Sequence, residues 1–302
     1  MTDRRLRYFL AVIRAGSIRG AAEALHVAAS AVSRQIAELE LDCGSPLLER
    51  LPRGVVPTEA GRIVAAHAER QEDDAALLED RLRRLRGAED GTVRLCCGGG
   101  FLTDLLDNGL AGFTAAHPGI ACKVTLGTTE GILDAVAEGD ADLGLAYNPA
   151  SRPGLRSAAM VRQSLAAILL PDHSLARARR SARLKAFAAL PAALLPPGHG
   201  VRQMLSRVEA DGGFRLTMRL ETGSFELQRR FVLAGMGVAF LPEFAAAPEL
   251  REGRLAAIRL VDPLLSHAAA HLVVKAGRTL PEAAERMAAW LGARLLAFGA
   301  AH

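Results

Sequence analysis

The stretch from Phe9 to Glu40, FLAVIRAGSIRGAAEALHVAASAVSRQIAELE, constrains this chain more than any other. Leu6, Phe9, Leu10 and Ile13 fall at i, i+3, i+4 and i+7, one face of a first helix. Gly16 ends it and Ser17 caps the next, where Ile18, Ala21, Ala22 and Leu25 repeat the pattern. After a turn at His26 and Val27, a third helix buries Val32, Ile36 and Leu39. Its other face shows Ala29, Ser30, Ser33 and Arg34 near the helix start. Short hydrogen-bonding side chains and one guanidinium on such a helix suit the major groove of DNA.

Ser45 and Pro46 read as the cap and first position of a short helical turn. Arg50 to Val56 reads as a two-stranded wing, with Arg53 at its tip placed to meet a phosphate or a minor groove. Thr58 caps a long helix running to about Arg86. Along it Val64, Ala68, Gln71, Ala75, Leu78, Leu82 and Leu85 alternate spacings of four and three. Such a heptad seam on a helix ~40 Å long needs a partner, and a second copy of the chain is the natural one.

Only three of the 37 basic residues are lysine (Lys123, Lys185 and Lys275), so the basic side chains are almost all the forked donors that guanine and phosphate accept. A GC-rich genome explains the same bias. No signal pattern precedes Arg4 and Arg5, and no apolar run is long enough for a bilayer. The expectation is a cytoplasmic protein with reduced cysteines and no membrane contact. Cys43, Cys96, Cys97 and Cys122 lack metal spacing, so no metal and no cofactor are expected.

From Gly91 the pattern becomes α/β. Thr92–Cys97, Ala121–Leu126 and Leu143–Tyr147 are strands separated by helices over Thr103–Ala116 and from Thr128 to Gly139, a parallel βαβαβ unit. A second unit follows, with strands near Leu165, Ala192, Leu216, Val238 and Ala257. A strand over Ala269–Val274 and a helix over Pro281–Phe298 return to the first unit. The division expected is a winged helix-turn-helix over 1–58, a dimerisation helix over 59–88, and a two-lobed module over 91–302. Lobe I takes 91–161 and 267–302, and lobe II takes 162–266.

Five phrases in order carry a resemblance along the whole chain: AASAVSRQIAELE (Ala28–Glu40), LLERLPRGVVPTEAG (Leu47–Gly61), EGDADLGLAY (Glu138–Tyr147), LLPDHSLA (Leu169–Ala176) and VLAGMGVAFLP (Val232–Pro242). The chain resembles the LysR-type transcriptional regulators. The resemblance implies a winged helix-turn-helix that binds double-stranded promoter DNA, a linker helix that pairs subunits, and tetrameric assembly. It also implies an effector module similar to periplasmic binding proteins. Ser33 and Arg34 match the family's base- and phosphate-reaching positions. Ala28 and Ala29 stand where many members have Ser and Gln. This removes an N-cap and an adenine reader, while Ala29 still offers a methyl to thymine.

In open parallel sheets, ligands sit beyond the carboxyl ends of the strands, against helix N-termini that favour anions. The loops concerned carry Gly99, Gly100, Phe101 and Thr103; Thr128 and Thr129; Tyr147; His199; and Thr222 and Ser224. They point to a small carboxylate-like effector. Thr129 matches a family contact position, whereas Gly100 replaces the Ser or Thr usual in the first loop. An enzyme is disfavoured. Gly98-Gly99-Gly100 is not GxGxxG, no GxSxG elbow occurs, and His271, four residues after His267, falls in a strand. A transport solute-binding protein shares the two lobes but lacks the DNA-binding head.

Overall fold

The computed structural model describes residues 3–52, 54–85 and 90–299. The chain forms two compact units, residues 1–87 and 88–302.

In the first unit, α1 (Asp3–Ala15), α2 (Ile18–Leu25) and α3 (Ala29–Cys43) close over Phe9, Val12, Ala21, Val32, Ile36 and Leu39. Ser17 Oγ accepts from the Gly20 N–H at 3.0 Å and fixes the start of α2. His26, at φ 55°, ends it in the left-handed region. Strands β1 (Leu48–Leu51) and β2 (Gly54–Pro57) pair antiparallel as a wing whose tip, Arg53, lies outside the described residues. The helical turn expected at Ser45-Pro46 does not form. Glu40 Oε1 instead accepts the Leu47 and Leu48 N–H groups, at 2.8 and 3.3 Å, and Thr58 Oγ1 donates to the Pro46 carbonyl. These bonds lead the segment straight into β1.

Thr58 also caps α4 (Glu59–Leu85), accepting from the Gly61 N–H at 3.0 Å. Gly61 is required by packing, since a Cβ there would lie 2.0 Å from the Leu47 carbonyl oxygen. Gly61→Ala is expected to cost about 3 kcal/mol, through overpacking that neither backbone can relieve. For a unit of this size that is roughly 10 °C or more in Tm, readable by calorimetry, and an unchanged Tm would refute the contact. The first part of the expected heptad belongs to this core: Ala68 is buried and Val64 packs beside it. Further along, Leu78 and Leu82 are exposed, at 57% and 46%.

The second unit starts with β3 (Gly91–Cys97). A 3-10 turn at Gly99–Phe101 leads to α5 (Leu102–Asp104) and α6 (Ala111–Ala116), which flank a π turn over Leu105–Leu110. The single helix expected over Thr103–Ala116 is thus interrupted. Trp290 Nε1 donates to the Gly109 carbonyl at 3.0 Å and diverts it from a regular helical ladder. Then come β4 (Ile120–Leu126), α7 (Thr129–Glu138), β5 (Leu143–Tyr147) and β6 (Leu155–Arg162). The chain crosses into β7 (Leu165–Leu169), α8 (Ser174–Ala178), β8 (Ser181–Ala182), β9 (Pro191–Leu194), α9 (Gly200–Gly212) and β10 (Thr217–Glu221). It continues through α10 (Phe225–Leu233), β11 (Val238–Pro242), α11 (Ala247–Arg251), β12 (Ala256–Leu260) and α12 (Pro263–Ser266). β13 (Ala269–Lys275) and α13 (Glu282–Arg294) close the chain.

The first sheet runs β4-β3-β5-β13-β6 and the second β10-β9-β11-β7-β12-β8. β4, β3 and β5 are parallel as expected, whereas β13 lies antiparallel to both β5 and β6. The terminal helix stops at Arg294 rather than Phe298. Asp104 accepts from the Leu296 and Ala297 N–H groups, at 3.0 and 2.8 Å, and Gln163 Nε2 donates to the Leu296, Ala297 and Gly299 carbonyls. Side chains have taken the backbone groups that another helical turn would use.

Candidate functional site

Val32, Gln35, Ile36 and Leu39 turn inward from α3, so its opposite face is left to solvent. Ala29, Ser30 and Arg34 are exposed there, and Ser33 is half-buried. Arg34 has no carboxylate partner among the described residues. The N-cap is Ala28, with no side-chain acceptor, so the Ala29 and Ser30 N–H groups at the start of α3 are available to a phosphate, while the Ala31 N–H donates to the Ala28 carbonyl at 2.9 Å. Arg5 braces the helix from α1, bridging to Glu38 at 3.0 Å and Asp42 at 2.5 Å. This face can be laid in a groove without rearranging the core behind it.

Between the lobes of the second unit, the loops that follow β3, β4, β5 and β9 meet at one cavity of about 40 Å³. Gly99, Gly100, Phe101, Thr128, Thr129, Tyr147 and His199 border it. Thr103, Thr222 and Ser224 do not. Thr222 Oγ1 accepts from the Ser224 N–H at 3.1 Å, and Ser224 Oγ accepts from the Leu227 N–H at 3.2 Å as the cap of α10. Their hydroxyls serve the local backbone. Thr128 Oγ1 likewise accepts from the Gly131 N–H. The Thr129 hydroxyl has no side-chain or backbone partner among the described residues.

His199 precedes α9 without capping it, and its Nδ1 is buried with no hydrogen-bond partner among the described residues. A buried polar atom left open costs roughly 1–3 kcal/mol, which a ligand can recover. Tyr147 turns its ring to the cavity and its hydroxyl away, donating to the Gln163 carbonyl at 2.6 Å. Burial pushes this phenol above its usual range, so it acts as an apolar wall with a fixed donor.

Apolar residues not anticipated from sequence also line it, Ile132, Leu195, Phe225, Pro242 and Phe244 among them. Phe225, the first residue of α10, lies across the glycine loop of lobe I. A Cβ on Gly100 would sit 3.0 Å from its Cε1, and one on Gly99 would sit 3.3 Å from its Cδ2. The bare first loop is therefore complementary to an aromatic ring from the other lobe. Phe101 and Phe244 pack against each other, tilted by 35°, with ring centroids 4.9 Å apart. The free volume holds only a few waters, since each needs about 10–15 Å³ on this measure. A larger guest has to displace the Phe225 ring or part the lobes.

The cysteines stand apart from this site. Cys97 is buried, and desolvation with the neighbouring Cys96 pushes its thiol up to about 12. Burial raises Cys122 as well. At neutral pH both are protonated thiols.

Residues 4–62 match the family model for the bacterial regulatory helix-turn-helix protein, LysR family, and residues 86–296 match the LysR substrate binding domain. An uncharacterised HTH-type transcriptional regulator of Mycobacterium tuberculosis is 33% identical over 259 residues, 83% of either chain. The SDS degradation transcriptional activation protein of a Pseudomonas strain is 32% identical over 289 residues, 94% of this chain and 93% of its own. Among solved structures, a full-length OxyR variant from Pseudomonas aeruginosa superposes with a TM-score of 0.67 at 20% identity, covering 97% of this chain and 95% of that one. Full-length CbnR, solved in complex with its target DNA, gives 0.53 at 22% identity, covering 96% and 98%. At such identities the solved structures speak for the fold, and the family rests on the sequence matches. Those matches cover the exposed reading helix in one unit and the glycine-loop cavity in the other, and both belong to regulators rather than enzymes: the chain is a member of the LysR family of transcriptional regulators.

Proposed function

We propose that this regulator reads promoter DNA as a dimer and responds to a small organic acid held between the lobes of its second unit. The observation that carries the reading is convergence: seven residues from loops far apart in sequence border one cavity. Two helix N-termini, those of α7 and α9, open onto it and favour a carboxylate. The Thr129 hydroxyl and His199 Nδ1 supply polar contacts that no group among the described residues uses. The apolar lining calls for an acid with an apolar body, and its entry moves Phe225 off Gly99 and Gly100. Ala29, Ser30, Ser33, Arg34 and Arg53 contact bases and phosphates. Dimers pair along the heptad of α4 and assemble further to tetramers in the cytoplasm. Binding shifts the lobes only by as much as the ligand prefers one arrangement over the other.

Thermal-shift titration with matched pairs of apolar carboxylates and their amides tests the effector class. A carboxylate is expected to raise Tm by several degrees while its amide does not. Thr129→Val should weaken the response about tenfold, the worth of one hydrogen bond to a charged group. Stabilisation by amides and not by carboxylates would overturn the assignment.

A further inference from the structure

A second depression lies on the unit that carries the cleft, and its volume is about 770 Å³. It is formed where β6 passes into β7, together with the segment after β11, α11 and β12. Val161, Phe244, Leu250 and Leu296 give it an apolar floor. Arg162, Arg251 and Arg259 stand around it, exposed, against one carboxylate, Glu243. None of the three guanidinium groups has a carboxylate partner among the described residues; Arg251 Nε makes only a 3.3 Å bond to the Ala247 carbonyl.

We propose that this groove is a second small-molecule site, taking an organic anion with an apolar body. Volume and charge both point there. Ligand sites commonly enclose about 300–1,000 Å³, with a mostly apolar lining and a few placed charges. Three unpaired arginines against one glutamate complement a carboxylate, and the floor complements a chain or ring. The groove is also joined to the cleft through one side chain. Phe244 borders both, packing on Phe101 and, at 6.2 Å between centroids, on Tyr147. A guest resting on Phe244 therefore bears on the cleft wall, and by linkage each site changes the affinity of the other by the same factor.

Calorimetric titration of the full chain with octanoate, and with 1-octanol as its neutral counterpart, tests the site. Octanoate is expected to bind and octanol to bind at least tenfold more weakly. Arg251→Glu/Arg259→Glu should weaken octanoate at least tenfold. Arg156→Glu/Arg183→Glu, a reversal of equal charge at exposed positions outside the groove, should change it less than twofold. Circular dichroism establishes that both variants are folded. Equal binding of octanoate by the wild type and the groove variant would overturn the proposal. So would equal loss in the two variants, octanol binding as tightly as octanoate, or no binding by the wild type. Because the groove variants leave Thr129 and His199 in place, failure here does not bear on the cleft.

Discussion

Leu78→Glu/Leu82→Glu is expected to give a folded monomer whose operator affinity is at least ~100-fold below wild type, the scale set by losing the effective concentration of a linked second reader. The first part of α4 is committed to its own unit through Val64 and Ala68, so the helix remains anchored when its later turns change. Leu78 and Leu82 are not part of that core, being 57% and 46% exposed. Placing carboxylates there costs the monomer little, and in a paired seam it sets like charges against each other. Analytical ultracentrifugation and titration of an operator fragment read the two effects together. A variant that still sediments as a dimer would place the subunit contact elsewhere.

Arg34→Ala should weaken specific binding roughly 5- to 150-fold, which corresponds to the ~1–3 kcal/mol of a good contact between a side chain and a base edge. The residue is exposed on α3 and bridges to no carboxylate among the described residues, so its removal leaves the fold unaffected. Non-specific binding should fall far less, by about one phosphate contact at most in the salt dependence. The measurement is competition between operator and random duplex at stated salt. Equal affinity of the variant and the wild type for operator would refute the role assigned to Arg34.

The head was legible because its signals are local and agree with one another. Ser17 caps α2 as its sequence position demands, and Val32, Ile36 and Leu39 fall on one face of α3. Where the reading failed, a distant side chain had taken over a backbone group. Ser45-Pro46 has the composition of a helix start, but Glu40 and Thr58 hold it extended. The Pro281–Phe298 pattern is apolar to its end, but Asp104 and Gln163 claim the last turn. Strand β6 gave no signal at all. Its sequence, LRSAAMVR, has one β-branched residue, and as an edge strand it is mostly exposed and shows no clean alternation.

In the second unit, glycines and capping residues were legible as loop signals, because short turns after strands require them. Capping and ligand binding use the same residue types, and only the fold separates Thr129, whose hydroxyl has no partner among the described residues, from Thr222 and Ser224, whose hydroxyls are occupied. Nothing in the sequence separates Phe225 and Phe244 from ordinary core aromatics. The clue to Phe225 was the absence of a side chain at Gly100, which gains meaning only when the two lobes are seen face to face.

The claim that joins both units is that a ligand between the lobes changes how the head holds DNA. Footprinting the chain on its own upstream region, with and without a carboxylate that raises its Tm, tests this most directly. The expected result is two protected half-sites about one helical turn or a multiple apart, with spacing or intervening cleavage altered by the ligand. Identical footprints at saturating ligand would contradict it.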